Sequence, residues 1–159
     1  MTGLHVRATL DDIDRTILRE LQQDGRMTNV ELSRRVGISP PPCLRRLRTL
    51  EERGFIEGYR ARLSSRLLGY DVLCFAMVHL ERQSDVELNR FAERMTSWKV
   101  VRECWAVSGE IDFMLKCVTP DLSSFQAFVR ELTAMPNVRS VRTALAIDSI
   151  KDEPLVPLE

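Results

Sequence analysis

The chain predicts an α+β protein of two units: a three-helix, winged helix-turn-helix unit over 1–63, a linker over 64–69, and a ferredoxin-like βαββαβ unit over 70–159. Three observations carry that prediction. Apolar residues recur at helical spacing through the first third, punctuated by Gly25, Gly37 and Gly54. From Val72 the pattern changes to β-rich apolar runs that alternate with two helical stretches. Charge divides at the same place. Residues 1–63 hold 12 Arg and no Lys against 9 Asp and Glu, whereas 64–159 hold 11 Lys and Arg against 14 Asp and Glu, so the formal net charge of zero is a cancellation.

Residues 1–9 lack periodicity and read as a loose arm. Asp11 or Asp12 then caps a first helix whose Ile13, Ile17, Leu18 and Leu21 share a face and which ends near Asp24-Gly25. Thr28-Asn29-Val30-Glu31 has the spacing of a capping box, in which hydroxyl and carboxylate each satisfy the other residue's amide. The helix it opens is short, because Gly37 ends it. Only Val36-Gly37-Ile38-Ser39 separates it from a third helix, and that brief Gly-containing turn is the signature of a helix-turn-helix.

Ser39 is placed to cap the third helix, and the proline run after it is tolerated because first-turn amides have no intrahelical partner to lose. At about 100° per residue, Cys43, Leu44, Leu47, Leu50 and Gly54 fall on one stripe, and Pro42, Arg45, Arg46, Thr49 and Arg53 across the opposite arc. Four arginines in nine residues, Arg45, Arg46, Arg48 and Arg53, give that helix a cationic outer surface. The ordinary reading of such an arc is a solvated surface face. Its place as the second helix of a helix-turn-helix points instead to phosphate and the guanine edge, which suit the planar arginine fork. Residues 26–62 hold 9 Arg against 4 acids, the footprint of a polyanion meeting one face of one unit. Thr28, Ser39, Pro42, Arg45, Arg46, Arg48 and Thr49 are the candidate DNA contacts, and the strand-like Phe55 to Leu63 adds Arg60 and Arg62 toward flanking phosphates.

In the second unit, Val72 to Leu80 reads as a buried strand and Ser84 to Glu87 as another capping box, opening a helix with Leu88, Phe91, Ala92 and Met95 inward. Val100 to Val107 and Ile111 to Val118 form a hairpin across Ser108-Gly109-Glu110. A helix capped by Asp121 carries Leu122, Phe125, Val129 and Leu132 on one face with Phe128 at its edge, and a last strand runs from Val138 to about Ile150. With both helices on one face of the sheet and apolar residues on both faces of the last strand, a second copy of the chain is the simplest cover for the open side, so a homodimer is expected.

Other function classes find little support. A charged, then apolar leader is lacking and no apolar run approaches 18 residues, so a cytoplasmic protein with no membrane partner is expected. Cys43, Cys74, Cys104 and Cys117 are 31, 30 and 13 positions apart in apolar settings, with only His5 and His79 as possible co-ligands, which points to four buried reduced thiols and no metal site. His79, Glu110, Asp112 and the thiols compose no nucleophile-base arrangement, and no Gly-rich phosphate loop is present, so no catalytic residues are assigned. Asp112 stands out. It lies two residues past a tight turn between Ile111 and Phe113, and a carboxylate in apolar company needs a partner: an arginine, a backbone amide, or a cationic ligand group such as an amine.

Taken in order and spacing, Leu10-Asp11-Asp12-Ile13-Asp14-Arg15, Asn29-Val30-Glu31-Leu32, Ser39-Pro40-Pro41-Pro42-Cys43-Leu44-Arg45-Arg46 and Val107-Ser108-Gly109-Glu110-Ile111-Asp112-Phe113 resemble the leucine-responsive regulatory protein/AsnC (Lrp/AsnC, feast/famine) family of bacterial and archaeal transcription regulators. The resemblance runs from Leu10 to about Pro154. It implies double-stranded DNA as partner, dimers that often assemble further into octamers, and an amino acid as small-molecule effector, with no other cofactor. It places the effector at contacts between sensing units, where Gly109 and Asp112 match the family's hairpin motif and Ser108, Leu122 and Leu145 are their expected pocket neighbours. Pro41 departs from the small polar residue expected there, which bears on a contact at the helix start. The expected function is sequence-specific transcription regulation that responds to an amino acid. The alternative is an architectural DNA-wrapping protein with a vestigial pocket.

Overall fold

The computed structural model describes residues 9–154 and 156–158, so the expected loose arm lies, but for residue 9, outside the described residues. The chain divides into two compact units, Leu63–Lys151 and a discontinuous one made of Met1–Arg62 with Asp152–Glu159. The second unit was expected to run through 159. The tail belongs to the first because Leu158 packs on its core, the Gln22 amide donates to the Val156 carbonyl at 3.1 Å, and Arg62 pairs with Asp152.

In the first unit α1 spans Asp12–Gln23, α2 Asn29–Val36 and α3 Pro40–Glu52. The Asp11 carboxylate accepts from the Asp14 amide at 2.8 Å and opens α1. Thr28 caps α2 by accepting from the Glu31 amide at 3.2 Å, but the reciprocal half of the expected box is absent, because Glu31 turns to Arg35 at 3.2 Å. Gly37, at φ +76°, ends α2 in the left-handed conformation that glycine alone adopts without strain. Ile17, Leu18, Leu32, Cys43 and Leu50 form the buried core where the three helices meet. Beyond α3 the chain over 56–64 forms no helix and pairs with no strand among the described residues. A strand needs a neighbour, and this segment is held instead by Tyr59, whose hydroxyl donates to Glu51 at 3.0 Å while its ring covers Gly25. Burial, then the Glu51 carboxylate, push the Tyr59 hydroxyl up to about 12.

The second unit begins with a 3-10 turn at Arg66–Leu68 and continues β1 Val72–Leu80, α4 Asp85–Ser97, β2 Val101–Ala106, β3 Phe113–Thr119, α5 Leu122–Thr133 and β4 Val138–Leu145. The strands lie in the order β2-β3-β1-β4, all neighbours antiparallel, which is the expected ferredoxin-like arrangement. Period-two alternation along β1 and β3 sends Cys74, Ala76, Val78, Leu80, Phe113, Leu115 and Cys117 into the helix-covered core with Phe91, Met95, Phe128 and Leu132. Phe128, expected at the edge of α5, is central there, packing its ring 5.1 Å from Trp98, and Leu122 is exposed instead.

The other sheet face carries Leu73, Phe75, Met77, Met114, Val118 and Trp105, partly or fully exposed, around a Lys116–Glu103 ion pair of 3.1 Å. Ser84 begins α4 without a side-chain cap bond, and Glu87 pairs with Arg90 at 2.8 Å rather than completing a box. β4 ends five residues earlier than expected, with one further ladder bond from the Ala146 amide to the Leu73 carbonyl. Cys104 lies exposed on the edge strand β2, unlike the other three thiols, which are buried. Among the described residues no helix is long and apolar enough to cross a membrane, and no group of side chains has metal-ligand composition.

Candidate functional site

Two regions hold the expected site residues, one in each unit. In the first, α3 is rotated relative to the arc read from its periodicity. Its inward seam runs through Cys43, Leu47 and Leu50, while Leu44 turns out and is 37% exposed. Pro41, Leu44, Arg45, Arg48 and Thr49 therefore make the outward face. The cause is at Cys43 and Leu50, which are two helical turns apart and fix the inward direction. A leucine 100° from Cys43 then falls on the rim.

Arg46 changes role with that rotation. Its Nη1 lies 2.7 Å from Asp11 and 2.8 Å from Asp14, and its side chain is only 31% exposed. The two carboxylates, Asp14 first, hold the guanidinium above its usual pKa, and the Asp14 amide and then Arg46 hold the Asp11 carboxyl below its own. Arg46 thus ties α3 to the start of α1, and a guanidinium neutralised by two carboxylates has little charge left for phosphate. Arg45 and Arg48 are exposed and make no ion pair among the described residues.

Ser39 has the extended backbone of an N-cap, φ −74° and ψ 155°, but its hydroxyl makes no cap bond. The reason lies in Pro40, Pro41 and Pro42. A cap hydroxyl accepts from the second or third helical amide, and prolines have none to give. The first available α3 amide, that of Cys43, is taken by the Ser39 carbonyl at 3.3 Å. Thr28 remains exposed at the start of α2, Pro42 is half-buried, and the Thr49 hydroxyl donates back to the Arg45 carbonyl at 3.0 Å. Sequence reasoning missed Asn29, whose side-chain amide donates to the Pro40 carbonyl at 2.9 Å and joins the first turns of α2 and α3. It also missed Leu44 as an outward residue.

In the second unit, residues 107–112 connect β2 to β3, closed by the Val107 amide donating to the Asp112 carbonyl at 3.0 Å. Ser108 and Gly109 are exposed at its tip, and Gly109, at φ +126°, has open space where a Cβ would stand, so its requirement is conformational rather than steric. Asp112 has found a backbone partner. Its Oδ2 accepts from the Leu80 amide at 2.7 Å, where the β1–β4 register slips, and its side chain is 15% exposed. One carboxylate oxygen thus terminates the central strand, and the other makes no hydrogen bond among the described residues. His79 stands beside it, with Nδ1 3.8 Å from Oδ2 and 2.6 Å from the Glu110 carbonyl. A carbonyl only accepts, so Nδ1 carries the proton and His79 clamps the hairpin to β1.

Leu122 and Leu145 do not join this group within one chain. Leu122 opens α5 after the far end of β3, and Leu145 pairs with Cys74 near the start of β1. Six β1 residues, roughly 20 Å, separate that register position from Leu80. Antiparallel connectivity puts a strand's start and the start of the helix after it at opposite ends of the sheet. Both leucines are substantially exposed, 57% and 45%.

Family models match both units. Residues 10–57 match a winged helix-turn-helix DNA-binding model, and residues 73–156 match the Lrp/AsnC ligand binding domain. The leucine-responsive regulatory protein of Rhizobium meliloti (strain 1021) is 62% identical over 148 residues, covering 92% of this chain and 95% of that protein. The protein of the same name from Escherichia coli (strain K12) is 43% identical over 143 residues, with 89% and 87% covered. Among solved structures, a transcriptional regulator from Neisseria meningitidis in complex with L-Met superposes with a TM-score of 0.89 at 37% identity, covering 94% of this chain and 97% of that one. An AsnC family transcriptional regulator from Agrobacterium tumefaciens gives 0.88 at 34%, with the same coverage. Fold, domain content and identity over nearly the full length agree, and the chain belongs to the Lrp/AsnC family of transcription regulators, which are not enzymes.

Proposed function

We propose that this regulator is a cytoplasmic homodimer that docks the outward face of α3 in the major groove and changes its DNA binding or assembly when an amino acid occupies a site built on the β2–β3 hairpin. The observation that carries the amino-acid reading is Asp112, a largely buried carboxylate with one oxygen committed to the Leu80 amide and the other open. A free amino acid is a zwitterion. Its ammonium needs an acceptor such as Asp112, and its carboxylate needs donors such as the amides around Ser108 and Gly109. The Neisseria meningitidis relative solved with L-Met supports this class of ligand.

Leu122 and Leu145 enter that site only when supplied by a neighbouring copy, because one chain holds them at the other end of the sheet. An effector bridging chains in this way couples occupancy to assembly, including any octamer. For DNA, Arg45, Arg48 and Thr49 carry direct contacts, Thr28 and Ser39 offer hydroxyls to phosphate, Pro42 shapes the helix start, and Arg46 acts by positioning.

A thermal-shift screen against the twenty amino acids tests the reading, since a ligand at 100 times its dissociation constant adds about 2.7 kcal/mol. One amino acid should raise the melting temperature and alter retardation of operator DNA. No shift with any amino acid, alongside intact DNA binding, overturns the effector assignment and returns the protein to a purely architectural role.

A further inference from the structure

The outward face of α3 is not uniformly cationic. Pro41 and Leu44, three positions apart and therefore stacked on one side of the helix, form an apolar step beside Arg45 and Arg48. A lone exposed leucine needs no explanation. This one sits at the leading end of a helix whose first three residues are prolines, so its first turn has no free amide with which to hold a phosphate. What the helix offers first to a groove is hydrocarbon, and only then guanidinium.

The major groove has one apolar feature, the 5-methyl group of thymine, while arginine pairs with guanine O6 and N7. We propose that Pro41 and Leu44 read a thymine methyl in each half-site, adjacent to the base contacted by Arg45. The proposal rests on the docking of α3 described above, with complementarity supplied by the flanking arginines. It assigns base preference to two residues without a hydrogen-bonding side chain. It also gives a reason for Pro41 at a position where a small polar residue was expected.

The experiment uses the full chain and an operator obtained by selection from randomised duplexes. Each thymine is replaced in turn by deoxyuridine, which removes only the methyl group. At one position per half-site the wild type should lose affinity roughly fourfold, the factor that one buried methyl gives. Leu44→Ala should bind the thymine duplex about as weakly as the wild type binds the uracil one, and should be indifferent to the replacement. Leu44 is already on the surface, so this variant should fold, which its melting curve checks. Arg45→Ala should keep the uracil penalty while relaxing preference at the neighbouring base.

If no uracil replacement weakens the wild type while Arg45→Ala and Arg48→Ala do, the methyl reading is wrong and the docking stands. A penalty that persists in both Leu44→Ala and Pro41→Ala also overturns it, since another group then reads the methyl. If the arginine variants and Leu44→Ala all bind as the wild type does, the docking face itself is misassigned.

Discussion

Arg46 and Asp14 meet at 2.8 Å between α3 and α1, and the same Nη1 holds Asp11 at 2.7 Å. An arginine on the helix proposed to read DNA is spent on fixing that helix in place. Arg46→Ala should therefore lower DNA affinity alike for all operators, with no change in base preference, and lower stability by about 1 kcal/mol, the range for partly exposed ion pairs. Binding-site selection with the variant, run beside its melting curve, checks this. A changed base preference with unchanged stability would return Arg46 to the group that contacts DNA.

The strand contact of Asp112 and its proposed effector contact can be separated by one substitution pair. Asparagine keeps an acceptor for the Leu80 amide and loses the charge, whereas alanine loses both. Asp112→Asn should melt near the wild type yet bind the effector roughly ten- to a hundredfold more weakly, the cost of a charge-assisted contact. Asp112→Ala should in addition lose about 1–3 kcal/mol of stability, because a buried amide is left without a partner. Calorimetry and melting measure the two effects. Equal effector affinity in wild type and Asp112→Asn means that the carboxylate serves the strand alone.

Acid should destabilise the chain through its helix caps. The Asp121 carboxyl is held below its usual pKa by the Ser124 amide, as Asp11 is by the Asp14 amide and then Arg46. A carboxyl depressed in the folded state contributes stability above its unfolded pKa, about 3.9, and that contribution disappears as the pH falls through the lower folded value. Melting temperature should be level near neutrality and fall below about pH 4. Asp121→Asn, which retains a cap acceptor without the charge, should flatten part of that fall, and an unchanged acid limb would assign it to other carboxylates.

The open sheet face yields a prediction about assembly. Phe75 and Met77 lie on the central strand of that face, away from the helix-covered core. Phe75→Glu places charge where a second copy is expected to pack, and sedimentation velocity should show a smaller species at micromolar concentration. A wild-type chain that already sediments as a monomer removes the basis for the dimer.

Much of this architecture was legible because its signals are local. Gly37 marks the end of α2, alternation marks β1 and β3, and the order of elements gives the sheet. The rotation of α3 was not legible, because leucine fits a core seam or a groove equally well and Leu44 lies one residue from Cys43. The cap at Ser39 failed for a local reason that was available, since prolines at the next three positions donate nothing. Arg46 with Asp11, and the tail from Asp152 on the first unit, depend on partners 35 and 90 residues away, which periodicity does not register. Asp112 was legible as a carboxylate in need of a partner, but the choice of the Leu80 amide required the register slip in β1.

The three prolines that open α3 also have a thermodynamic consequence. Their φ angles are fixed by the pyrrolidine ring even in the unfolded chain, and Ser39 before them is confined to extended backbone. The tip proposed to meet the groove therefore has little conformational freedom left to surrender on docking, which favours affinity. The same stiffness denies it adjustment. In the proposed docking, a base pair that does not fit would be met by a tip unable to relax around it, so discrimination between operators would come from the rigidity of the reader as well as from the chemistry it presents.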